Sequence, residues 1–154
     1  MSGFIPGVLD RLMDERAEGS AQLSVEQIKD LVARDLEALL NTRVALPASA
    51  FAGHPLAGAS ILNYGLLDFA AFCLTSAEDR AAICASIKSA IETHEPRLKE
   101  VSASLVPLAG SVNRLDFVIH ARLALLDSGD AVNFSAVLQP SSLHYVVRRT
   151  ARPR

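Results

Sequence analysis

At Pro96 the hydrophobic period of the chain changes, and no other feature restricts the possible folds as much. Upstream, apolar residues recur at helical spacing; downstream, they alternate. Ser24, with Gln27 three residues on, forms a capping box, in which each side chain takes a backbone N–H that a bare helix start leaves unpaired. Ile28, Leu31, Val32, Leu36, Leu39 and Leu40 then define one helical face, with Lys29, Arg34 and Glu37 off it, and the helix is expected to end at about Asn41 or Thr42. Thr75 and Glu78 suggest a second capping box, opening a helix to roughly Thr93 with Ile83, Ile87, Ala90 and Ile91 as its apolar stripe. Proline cannot continue a helix and pushes the preceding residue out of helical geometry, so the chain turns at Glu95-Pro96.

Beyond that corner Val101, Ala103 and Leu105 alternate with serines, and Leu115, Phe117, Ile119, Ala121, Leu123 and Leu125 alternate mainly with polar residues. Asp127-Ser-Gly-Asp130 is a hairpin signal; Val132, Phe134, Ala136 and Leu138 make another strand, Gln139-Pro-Ser-Ser142 another turn, and Leu143, Tyr145 and Val147 a last strand. Helices followed by strands predict an α+β fold: two amphipathic helices packed on a C-terminal antiparallel meander of three to four strands. Residues 44–59, with two prolines and two glycines, read as a long connection, and "SILNYGLLDFAAF" as a short strand or loop with Asn63 and Gly65 at a turn.

At 154 residues the chain fits one domain. It is 50% hydrophobic and 21% charged, with mean hydropathy +0.26, which is more apolar surface than a lone domain readily buries and suits a subunit of an assembly. A formal charge of −2 gives no electrostatic case for nucleic acid as the main ligand. The charge is uneven: Asp10, Asp14, Glu15 and Glu18 lie near the start, and Arg148, Arg149, Arg152 and Arg154 crowd the end. This divides the chain into a segment 1–23, a single domain 24–148 and a basic tail 149–154. Without a signal-peptide pattern or a stretch able to span a bilayer, the protein is expected to be cytoplasmic, with no direct membrane insertion. Cys73 and Cys84 fit neither a disulfide framework nor a zinc pattern and read as small buried thiols.

No catalytic signature is present, and His54, His94, His120 and His144 lack ligand spacing, so neither metal nor cofactor is expected. Glu95 and Asp116 are the one pair of carboxylates to weigh as a glycosidase couple, which needs them about 5 to 9.5 Å apart. Arg97, two residues from Glu95, favours its ionised form and works against a general acid. A binding role fits better. The last strand of the meander, or the one after Pro96, offers a border where a partner strand can add, with Glu95 and Arg97 as a charged corner beside it. The plainer reading is that Glu95 and Arg97 pair with each other or with helix ends.

In order and spacing "GVLDRLMDE", "VARDLEALLNTR", "SILNYGLLDF", "HEPRLKEV" and the strand-rich tail with "VNFSAVL" resemble the phage baseplate wedge and lysozyme-related family, which includes a baseplate subunit of type VI secretion, over roughly Gly7 to Val147. The resemblance implies a structural wedge component and hetero-oligomer, partnered by other wedge subunits and contractile sheath subunits. It implies that Glu95, Pro96 and Arg97 form the contact that starts sheath assembly, with strand pairing as the template. On that view the two charges are displayed at an exposed corner, and losing Arg97 costs the fold little. Asn41, Thr42 and Arg43 match the family's helix-end motif, and Asn63, Tyr64, Gly65 and Asp68 its middle motif; each also serves ordinary roles at a helix end or turn. Leu67 stands where the family typically has proline. Val8, Leu9 and Leu12 resemble a docking element buried in the wedge. The competing classes are a lysozyme-like muramidase and a cytoplasmic anti-adaptor sharing the fold.

Overall fold

The computed structural model describes residues 12, 23–69, 71–73, 75–106, 116–124, 129–139 and 144–150. Val8, Leu9, Leu115, Leu125 and the Pro140–Ser142 part of the expected turn lie outside them, and Leu12 is exposed. The first long helix among residues 23–150, α1, runs Val25–Asn41 with the expected capping box: Gln27 N donates to Ser24 Oγ (3.2 Å), and Ser24 N to Gln27 Oε1 (2.8 Å). Ile28, Val32, Leu36, Leu39 and Leu40 are buried along it, as the spacing requires.

The connection that follows is a chain of short turns. It contains a 3₁₀ turn at Ala48–Phe51, a one-turn helix α2 at Pro55–Gly58 and a second 3₁₀ turn at Ile61–Asn63. The expected strand or loop around Asn63–Gly65 is thus a 3₁₀ turn followed by one parallel bridge, Arg43 with Leu66.

The long helix α3 spans Ala77–His94 and buries Ile83, Ile87 and Ile91. Its cap differs from the expected one by a residue. Ser76, not Thr75, accepts from Asp79 N (3.3 Å), because Thr75 is engaged with Cys73 (Oγ1 to Sγ 3.0 Å) and Asp79 accepts from Cys73 N (2.7 Å). Cys73 is therefore exposed rather than buried, and Cys84 is half-buried.

Four strands form one antiparallel sheet in chain order: β1 Leu98–Leu105, β2 Phe117–Leu123, β3 Asp130–Gln139 and β4 His144–Arg149. The expected alternation holds along β2, β3 and β4, where Phe117, Ile119, Ala121, Leu123, Val132, Phe134, Ala136, Tyr145 and Val147 are buried on one face. β1 starts earlier than alternation alone suggests. Leu98 and Val101 both point into the core although they are three apart, which two-residue periodicity forbids. The register slips between Lys99 and Ser102, and Glu100, at φ 53°, absorbs the extra residue as a bulge.

Both long helices lie on the apolar face, α3 mainly over β1 and α1 mainly over β4, with the helices in contact. α1 also closes the outer border of β4. Asn41 acts there as a strand would, its Oδ1 accepting from Tyr145 N (2.7 Å) and its Nδ2 donating to Tyr145 O (2.9 Å). Glu37 Oε2 accepts from Val147 N (2.9 Å). Arg149, the first residue of the expected tail, belongs to β4 and pairs with Glu26 and with Asp30 (Nε to Oδ1 2.8 Å) on α1. At the stretch Tyr145–Val147 the border expected to accept a partner strand is therefore already taken, whereas β1 borders the sheet on the other side and, among the described residues, pairs only with β2.

Candidate functional site

Glu95, Pro96, Arg97 and Leu98 form a single hydrogen-bonded turn that takes the chain from α3 directly into β1. Glu95 N still donates to Ile91 O (2.8 Å), closing the helix, and Leu98 N donates to Glu95 O (3.1 Å), closing the turn. Proline sits at the second turn position, where its fixed φ is already correct. The short span forces the Arg97 side chain back over Glu95. Arg97 Nε and Nη2 meet the two Glu95 carboxylate oxygens at 2.6 and 2.5 Å, and Arg97 N donates to Glu95 Oε1 (3.2 Å). The same Nη2 bonds Asp35 on α1, so the corner ties both helices and the sheet together.

The two charges are not displayed as the exposed-corner reading supposed. Glu95 is 4% exposed, and the Arg97 side chain keeps only 19% of its surface. Of the triplet, only Pro96 is exposed. The Glu95 carboxylate, and after it Asp35, hold the Arg97 guanidinium ionised more firmly than usual, against the opposing effect of burial. A planar guanidinium between two carboxylates is a geometry lysine cannot reproduce. It also leaves the expectation of a cheap Arg97 loss without support, since removing one partner strands a buried charge.

The structure brings the middle motif against this corner and onto the end of α1. His94, the last residue of α3, places Nε2 3.0 Å from Asn63 O, and its ring meets that of Tyr64 edge-on at 5.3 Å. Burial, with Asp35 and Glu95 nearby, raises the Tyr64 pKa above the ordinary phenol value. Gly65 lies at φ 121° against Thr42; a Cβ there would stand 2.7 Å from the Thr42 carbonyl oxygen, so only glycine fits without displacement. That approach lets Leu66 N donate to Thr42 O (2.9 Å) and Val44 N to Leu66 O (3.0 Å). Arg43 is spent locally, on the helix-end carbonyl of Leu40 (2.8 Å), and Asn41 on β4. Asp68 is exposed and Leu67 partly so. Asn63 and Tyr64 thus join the corner through His94, whereas Gly65 packs on Thr42 at the end of α1, and Asn41 and Arg43 are engaged elsewhere.

Asp35 and His94 are members of this cluster that residue-by-residue reading missed. His94 abuts the Glu-Pro-Arg triplet, but its partner Asn63 is remote in sequence; Asp35 sits in "VARDLEALLNTR" among residues explained by helix periodicity.

The proposed acid pair does not form. Leu98 pairs with Leu123 and Leu105 with Phe117, so Glu95 and Asp116 flank opposite ends of the β1–β2 ladder. At about 3.3 Å per residue they are roughly 20 Å apart, far beyond the span of a glycosidase couple. A groove between α1 and the ends of β3 and β4 also carries acids, but Glu26 and Asp30 bind Arg149, and Glu37 binds Val147 N. Among the described residues no group of three or more His, Cys, Asp or Glu is placed to hold a metal, and no helix is long and apolar enough to cross a membrane.

With this geometry in place, comparison with known proteins adds one finding. The pattern of the family described as baseplate wedge protein gp25 matches residues 26–127, which takes in α1, the connection, α3, the corner, β1 and β2. No curated protein matches the chain.

Proposed function

The chain belongs to the baseplate wedge protein gp25 family, a structural family of contractile baseplates, and from that premise we propose that it is the TssE-type wedge subunit of a type VI secretion apparatus. In this reading it assembles in the cytoplasm with the other wedge subunits into a membrane-docked baseplate, and that platform initiates and templates the contractile sheath. The contact that starts sheath growth is the corner at Glu95, Pro96 and Arg97. The observation that carries the reading is the fork of Arg97 between Glu95 and Asp35, set on a proline turn inside the matched region. Such a pair offers a partner no loose charges. It offers a rigid surface made of the Pro96 ring, the outer edge of the guanidinium and the half-exposed Asp35. Rigidity lowers the ordering cost of association, which suits a part that nucleates a polymer. Strand pairing with the first sheath subunits is then assigned to β1, because Asn41 and Glu37 occupy β4.

The experiment is fluorescent sheath assembly in cells whose only copy carries Glu95→Gln with Arg97→Met, which removes both charges and strands neither. Variant level and helicity are checked in the same cells. A folded variant that builds no sheaths supports the initiating contact. Normal sheath number and length would make the corner purely structural and refute this role.

A further inference from the structure

From residue 44 to residue 67 the chain has no Asp, Glu, Lys or Arg. Surface connections ordinarily carry charge, since charged side chains are the ones least often buried. Here the surface instead presents aliphatic groups: Leu56 is 87% exposed, Ile61 84% and Leu62 59%, with Leu46 and Leu67 partly exposed in the same connection. These residues supply most of the large exposed hydrophobics among the described residues.

The connection is held in shape from within. Ser60 Oγ donates to Ala57 O (2.7 Å) and accepts from Leu62 N (3.3 Å), while Asn63 Nδ2 donates to Gly58 O (2.8 Å). Gly58 packs on Phe51, Gly65 on Thr42, and His94 binds Asn63 O. The leucines and Ile61 therefore project from a pre-shaped base. A partner that covers them loses little conformational freedom in the connection itself.

We propose that this connection is a docking surface for an uncharged, aliphatic face of another wedge subunit, an inference that rests on the wedge reading above. The charge pattern selects the partner's chemistry. Any Asp, Glu, Lys or Arg that a partner buried against residues 44–67 would find no opposite charge there, and an unpaired buried charge is strongly unfavourable. The partner must therefore match an apolar centre and keep its charges at the rim. A lipid surface fits less well, because the connection has neither Lys or Arg for anionic headgroups nor Trp for the interface. The bond from His94 to Asn63 O also places this surface beside the Glu95–Arg97 corner, so the docked subunit lies next to the sheath-initiating contact.

The test measures binding of the purified chain to the purified wedge subunits of its own apparatus by biolayer interferometry. The variants are Leu56→Glu with Ile61→Glu, and Ala81→Glu on the exposed side of α3, away from the corner and from β1. All three side chains are exposed, so circular dichroism should be unchanged. The expected result is a loss of about 30-fold or more for the double variant, the factor for a hot-spot side chain, and wild-type affinity for Ala81→Glu. Undiminished binding by the double variant overturns the docking surface while leaving the wedge reading in place. A wild-type chain that binds no wedge subunit overturns both. Sedimentation as a dimer that Leu56→Glu with Ile61→Glu makes monomeric overturns the inference in favour of a second copy. Binding to anionic phospholipid vesicles that the same variant abolishes overturns it in favour of a membrane.

Discussion

Replacing Arg97 by methionine separates a displayed charge from a structural one, because the two predict stabilities several-fold apart. An exposed corner arginine is worth at most about 0.5 kcal/mol to a domain. In the structure Arg97 satisfies both oxygens of a carboxylate that is 4% exposed, and it also bonds Asp35. Breaking a buried pair by removing one member costs about 3 to 5 kcal/mol. The lower end applies here, since Arg97 keeps 19% exposure and water can reach the vacated space to solvate Glu95. With a urea dependence of about 2 kcal/mol per molar, a loss of about 3 kcal/mol lowers the unfolding midpoint by about 1.5 M at pH 7. Removing both charges, Glu95→Gln with Arg97→Met, should recover most of that loss, because an amide leaves no stranded charge. A single-variant shift under about 0.5 M would refute the reasoning, as would a double variant no more stable than the single one. The first outcome would mean that the pair is effectively solvated. The second would mean that the arginine contributes packing rather than charge.

Three further outcomes test other parts of the fold. Asn41→Leu removes both bonds to the Tyr145 backbone and should cost about 2 to 3 kcal/mol by urea unfolding; a loss under about 0.5 kcal/mol would show that the β4 border does not depend on the side-chain seal. Glu100→Gly relieves a residue at φ 53°, gaining about 1 kcal/mol against the loss of an exposed pair with Arg122, so the melting temperature should rise by about 2 °C in calorimetry. Burial pushes the Tyr145 phenol up to about 12, so its folded pKa lies above its unfolded value near 10. Its contribution is therefore complete below about pH 10 and is lost as pH rises toward 12; absorbance at about 295 nm, read as the difference from Tyr145→Phe, should show the late titration in the folded protein and an ordinary one in urea.

Periodicity and punctuation carry the fold because they are local. The stripe from Ile28 to Leu40, the Ser24–Gln27 box, the stop at Pro96 and the alternation from Phe117 onward each follow from residues within a few positions of one another. Where two local solutions compete, the prediction slips. Ser76 and Asp79 cap α3 because Thr75 is drawn to Cys73, and the bulge at Glu100 hides the start of β1 from a strict alternation. The site was legible as a triplet and a separate middle motif, not as one buried cluster. Its burial depends on Asp35 arriving from another helix and on Tyr64 and His94 closing beside it, contacts between positions far apart in sequence that periodicity does not encode. The same limit explains the β4 border. Nothing near Asn41 announces that its amide will lie against Tyr145.

That last contact also sets the timing of folding. Asn41 and Tyr145 are 104 residues apart, Glu37 and Val147 are 110 apart, and Arg149 reaches Glu26 across 123. At about 5 to 20 residues per second, a ribosome leaves α1 waiting roughly 5 to 20 s for the strand that covers its apolar face. The helix can form in microseconds and can meet α3 earlier, but its main sheet partner is the last described strand to be made. The packing of α1 is therefore completed only in a late step that joins it to β4. A nascent chain halted before β4 would carry an uncovered α1, a target for chaperones or for aggregation.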